Sequence, residues 1–144
     1  MLLDRRDPLR VVASLASLVT LLRSLASDDV DRVAIGAEWT ALLARGLART
    51  TAVRARLPPE RVFDMHFADF IRDEIAMVRR IYAHAGWTLE PDAEARMRAF
   101  LAANPKDKHG AHRYGLADAG LDLATERARY RDYQEAHRIA SEPV

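Results

Sequence analysis

The sequence predicts an α/β fold, strongly helix-rich, with one or two short strands. Three observations predict it. Apolar residues recur at three- and four-residue steps through most of the chain, the single segment RVFDMHF at 61–67 alternates instead, and prolines and glycines stand where helices of ordinary length would start and stop. The length, 144 residues, suits one domain over residues 1–144. A chain of that size buries roughly 68–70% of its unfolded surface, which is enough for a real core.

The elements follow in order. Leu2 and Leu3 read as the end of a strand, and Arg5-Arg6-Asp7-Pro8 as a cationic turn into a helix, with Pro8 in the first turn where no N–H is required. Leu9, Val12, Leu15, Val19 and Leu22 form the apolar stripe of that helix, with Arg10, Ser14 and Ser17 off it. Ser27-Asp28-Asp29 supplies cap chemistry and first-turn charge for a second helix through Trp39, Leu43 and Leu47, which Pro58-Pro59 stops. In the alternating segment Phe63, Met65 and Phe67 point one way, and Val62, Asp64 and His66 the other. Ile71, Ile75, Val78, Tyr82 and Ala85 then mark one helix, closed by Gly86 as its C′ residue. Pro91 opens another, with Met97, Phe100 and Leu101 facing inward, and Asn104-Pro105 ends it. After the loop KDKHGAHRYG a last helix runs from about Asp122 to His137 and carries Leu123, Tyr130 and Tyr133.

Composition excludes several classes of function. Lys plus Arg number 22 against 21 Asp plus Glu, a net charge of +1, so nothing general favours nucleic acid as a partner. There is no cysteine, which removes disulfides, thiolate metal sites and cysteine nucleophiles. The apolar run Val11 to Leu22 is interrupted by Ser14, Ser17 and Thr20 and is too short to span a bilayer. Asp4 and Asp7 also spoil it as a signal peptide. A cytoplasmic protein without membrane partners is the expectation.

Two clusters can bind an anion. Arg6 offers a rigid fork of donors at a helix start, and Ser14 adds a hydroxyl farther along the same helix. Lys106, Lys108 and Arg113, with His109 and His112, surround Gly110, where a backbone without Cβ approaches an anion closely. Each cluster also has a plainer reading: a solvated arginine beside a capping carboxylate, and a basic surface loop. His109 and His112 lack the further ligands a metal site needs, so no metal is expected. His66 on the strand reads as a hydrogen-bonded histidine, and His84 and His137 as charges complementing helix ends. Neither the G-x-x-x-x-G-K-[ST] nor the G-x-G-x-x-G pattern occurs, and no serine sits in a nucleophile elbow.

Taken together, the clusters carry a resemblance. RRDPLRVVASLASL resembles the segment of the sulfotransferases using 3′-phosphoadenosine-5′-phosphosulfate (PAPS) in which an arginine at a strand end and a serine eight positions later hold the nucleotide's 3′-phosphate; Arg6 and Ser14 match at that spacing. KDKHGAHRYGLADAGL resembles the family's C-terminal cofactor loop, with Lys108, His109 and Gly110 at the matching positions. The middle, from VFDMHF to AANP, is similar to the bacterial broad-specificity branch. It departs where Asp73-Glu74 stands for the usual Asp-Pro and His66 for an aromatic.

The resemblance implies the C-terminal portion of a P-loop-like sulfotransferase fold. It also implies a reaction, transfer of a sulfuryl group from PAPS to a hydroxyl or amine, and 3′,5′-bisphosphoadenosine (PAP) as the spent cofactor. Partners would be that nucleotide and a small-molecule acceptor. Arg6, Ser14, Lys108, His109 and Gly110 would bind the cofactor, and none is a catalytic base. The Pro-x-Ser-Gly-Thr-Thr-like loop that grips the phosphosulfate matches no segment, so the chain is expected to be truncated at its N-terminus, beginning where the family's 3′-phosphate strand ends, and to be inactive alone. An apolar face left by that missing half would promote self-association. The alternative is a non-catalytic helical remnant or interaction module.

Overall fold

The computed structural model describes residues 1–105 and 115–144. Two compact units emerge, one of Met1–Arg5 with 58–105, the other of Arg6–Leu57 with 115–144.

In the first unit, β1 (Leu2–Arg5) and β2 (Phe63–His66) pair in parallel, with Leu2 opposite Phe63 and Arg5 opposite His66. The Met1 carbonyl extends the ladder by accepting the Phe63 N–H at 2.9 Å. Met65 is the buried residue of β2, and Val62, just before the strand, is buried as well. Arg5 is only 2% exposed, and its Nε and Nη2 donate to Asp64 Oδ1 at 2.9 and 2.6 Å. A guanidinium removed from water needs such a partner, because its desolvation costs several kcal/mol.

The single helix expected after β2 is two helices. α3 (Phe67–Arg72) stops at Asp73, whose backbone is extended at φ −154°, and α4 (Glu74–His84) begins at the next residue. The Asp73 carboxylate accepts the Ala76 N–H at 2.8 Å and so caps α4. Gly86, at φ +70°, follows the α4 cap as the pattern predicts. Pro91 opens α5 (Pro91–Ala103). Glu94 on α5 receives two bonds from Arg79 on α4, at 2.8 and 2.7 Å, and is also bonded by Arg98; these bonds hold its carboxyl below the usual range. Phe100 and Leu101 do not face inward. They are exposed, because α5 meets α4 near its first turns and the two residues lie beyond that contact, on the rim of an open apolar groove of about 560 Å³.

In the second unit, α1 (Pro8–Ser24) packs against α2 (Arg32–Arg54), a 3-10 turn (Ala117–Ala119) and α6 (Leu123–His137). The buried stripe of α1 is Leu9, Val12, Ala13 and Ala16, and Leu22 at its far end is exposed. Small residues set this stripe, since they let neighbouring backbones close in. Gly36 of α2 shows how tightly: a Cβ there would stand 2.3 Å from the Ala119 carbonyl oxygen. Asp31 caps α2 by accepting the Ala34 N–H at 2.9 Å, so the helix starts later than the Ser27-Asp28-Asp29 segment suggests. Ser27 instead closes a local turn on the Asp29 N–H at 3.2 Å. Among the described residues no helix is long and apolar enough to cross a membrane.

Thr40, Glu126 and Tyr130 form a buried polar knot between α2 and α6. Thr40 Oγ1 lies 2.6 Å from Glu126 Oε2, and Tyr130 Oη donates to the Thr40 carbonyl at 2.7 Å. The two hydroxyls are 2.9 Å apart, but both protons are already spent on those acceptors. Burial, more than any other cause, raises the Tyr130 phenol above its usual value. An acid with a raised folded-state pKa stabilises the fold fully below the unfolded value, about 10 for tyrosine, and loses that contribution as pH climbs through the folded one. Urea unfolding between pH 9 and 11.5 should therefore show stability falling more steeply in the parent chain than in Tyr130→Phe. Parallel pH profiles would contradict this.

Candidate functional site

Arg6 follows β1 directly and precedes Asp7, the N-cap of α1. Asp7 is fully buried and saturated. Its Oδ1 accepts the Leu9 N–H at 3.0 Å, Arg127 Nη1 reaches its two oxygens at 2.8 and 2.7 Å, and the Glu142 N–H donates to Oδ2 at 2.7 Å. Pro8 at the first helical position lacks an N–H and so leaves no donor there unpaired, and the carboxylate caps the second position in the ordinary way.

The chain after α6 is drawn to this point. Arg138 adopts a left-handed backbone at φ 53°, the Ile139 N–H returns to the Gln134 carbonyl at 2.8 Å, and Arg127 Nη2 holds the Glu142 carbonyl at 2.8 Å. Val144 packs against the core of Leu9, Val12, Ala13, Leu116 and Tyr130. The Glu142 side chain thus lies beside Arg6 Nε at 3.4 Å and Arg10 Nε at 3.9 Å.

Arg6 and Arg10 converge on one carboxylate, and Ser14, half-buried, lies one helical turn beyond Arg10 on the same face. This corner suits a phosphate by its donor chemistry: two guanidinium groups at the start of a helix, with an anion's oxygens already between them. Lys108, His109 and Gly110 lie outside the described residues, as do Lys106, His112 and Arg113. Among the described residues no group of three His, Asp or Glu could hold a metal.

The remaining histidines have structural surroundings. His66 pairs in register with Arg5, the His84 ring meets Phe63 at 5.3 Å between centroids, and His137 Nε2 is 3.1 Å from Thr51 Oγ1. Sequence reasoning passed over Arg10 and Glu142. Arg10 carried a legible signal, since it stands four residues before Ser14 and so shares its helical face. Glu142 carried none, because only the tertiary return of the tail brings it to Arg6.

The family model described as the sulfotransferase family matches residues 2–91. Comparison with curated proteins gives no match. Among solved structures, the chain is similar to the sulfotransferase STF9 from Mycobacterium avium, with 30% identity and a TM-score of 0.85 over 97% of this chain and 36% of that one. It is also similar to the sulfotransferase STF1 from Mycobacterium tuberculosis, with 30% identity and a TM-score of 0.70 over 89% of this chain and 32% of that one. The chain spans about a third of the length of these two structures. A helix-rich α/β fold with a two-stranded parallel sheet, the family match over most of the chain and these structural likenesses lead to one assignment: the chain belongs to the sulfotransferase family.

Proposed function

We propose that this chain provides the 3′-phosphate side of a PAPS site in a protein that transfers a sulfuryl group to a hydroxyl or amine. The single observation supporting this reading is the corner where Arg6 and Arg10 already share an anionic group at the start of α1. Bound PAPS would supply the activated sulfuryl group. Arg6 would present its planar fork to two phosphate oxygens, Arg10 would add long-range charge, and Ser14 would donate its hydroxyl. Lys108 and His109 would close over the same phosphate, with Gly110 permitting close backbone approach. These residues bind and orient; none is placed as a base or as a donor to the sulfuryl oxygens.

Transfer needs charge stabilisation at the bridging and sulfuryl oxygens, and the sequence contains no Pro-x-Ser-Gly-Thr-Thr-like loop to give it. The purified 144-residue chain is therefore expected to bind PAP without turning over PAPS. A thermal shift with PAP at a hundred times its dissociation constant should correspond to roughly 2.7 kcal/mol of stabilisation. Absence of any shift would refute the binding role, and measurable sulfuryl transfer by the same preparation would refute the expected inactivity.

A further inference from the structure

The tail after α6 is fastened to the start of α1 through its main chain and its last residue, while its one acidic side chain in contact with the site is held loosely. The Glu142 carbonyl and N–H are fixed at 2.8 and 2.7 Å by Arg127 and Asp7, and Val144 is seated on the core. By contrast, the Glu142 carboxylate stands 3.4 Å from Arg6 and 3.9 Å from Arg10, with a side chain 35% exposed. Nothing in that arrangement requires the carboxylate to stay where it is. Rotation about the side-chain bonds would take it into water without disturbing one main-chain bond.

We infer that Glu142 is a built-in competitor for the phosphate corner, a carboxylate that covers Arg6 when no nucleotide is present and must swing aside when one binds. The inference rests on the reading of Arg6 as a phosphate ligand. A phosphate monoester carries about −1.5 to −2 charges near neutral pH against one for a carboxylate, so it displaces Glu142 from the guanidinium fork. The displaced carboxylate, its backbone still anchored, stays close enough to repel the phosphate. Glu142 thereby lowers nucleotide affinity and favours release of the spent bisphosphate. The left-handed backbone of Arg138 is the local strain that launches the tail on this course, and the Asp7–Arg127 pair fixes where it lands.

The test is calorimetric titration of PAP into the full chain and its variants Glu142→Gln, Arg6→Ala and the double variant. Glu142→Gln keeps every main-chain contact and should leave the urea midpoint unchanged while tightening binding about three- to fivefold, the range open to a partly exposed ion pair. In the Arg6→Ala background the same substitution should have a clearly smaller effect, because Arg10 is then the one guanidinium of the pair left for the carboxylate to cover. Unchanged or weaker binding in Glu142→Gln, with Arg6→Ala still weakening it, would overturn the competitor role and leave the phosphate reading intact. Equal affinity in the parent chain and Arg6→Ala would overturn both.

Discussion

Asp7→Ala should lower the stability of the chain by about 3–4 kcal/mol, the largest loss expected from any single polar substitution in the second unit. Four interactions converge on that carboxylate, which is fully buried. Its removal strips α1 of its cap, leaves Arg127 with a quarter of its side chain exposed and no carboxylate at Oδ distance, and frees the tail N–H of Glu142. Breaking a mostly buried pair costs about 3–5 kcal/mol, because the surviving charge stays desolvated, and the partial exposure of Arg127 puts this case at the lower end. The lost cap contributes about 1 kcal/mol within that total. Asp7→Asn keeps the shape and an acceptor for Leu9 but loses the charge, so it should fall between alanine and the parent. Urea unfolding followed by circular dichroism measures all three. A loss below about 1 kcal/mol in Asp7→Ala would mean that the junction is a surface feature, whatever its hydrogen bonds.

Arg6→Ala should have the largest effect on ligand affinity. A charge-assisted, bidentate arginine–phosphate contact is worth about 1.5–3 kcal/mol, so PAP binding should weaken by about tenfold to over a hundredfold. Arg6→Lys should recover only part of this, because an ammonium restores charge and not the planar fork. The fold should tolerate both changes: Arg6 is partly exposed, and Asp7 caps α1 through its own side chain. Loss of binding in Arg6→Ala with an unchanged urea midpoint would separate recognition from folding. Full recovery in lysine would show that charge alone suffices.

The helices were legible where proline and glycine mark their ends. Pro8, Pro91 and Gly86 stand where the pattern places them, and residues 63–66 alternate as a strand should. The break at Asp73 was not legible. An Asp-Glu pair inside an apolar stripe looks like helix surface, yet Asp73 turns out to be a cap and Glu74 the first helical residue. That also accounts for the departure from Asp-Pro: at a helix start glutamate gains from the dipole, as proline gains from its fixed φ. Exposure of Phe100 and Leu101 was hidden too, since periodicity says which face is apolar and not whether anything covers it. For the proposed site, Arg6 and Ser14 were singled out by the family resemblance, and local chemistry left them open to a plainer reading. The burial of Arg5 was not legible, because its partner Asp64 is remote in sequence and adjacent only through strand pairing. Glu142 was invisible for the same reason.

Recognition of a 3′-phosphate is read out by the affinity of the 144-residue chain for PAP relative to adenosine 5′-monophosphate. The two ligands differ only in that phosphate. PAP should be preferred by about tenfold or more, and Arg6→Ala should cut that preference by about tenfold. Equal affinity for the two nucleotides, or a preference undiminished by loss of Arg6, would contradict that recognition.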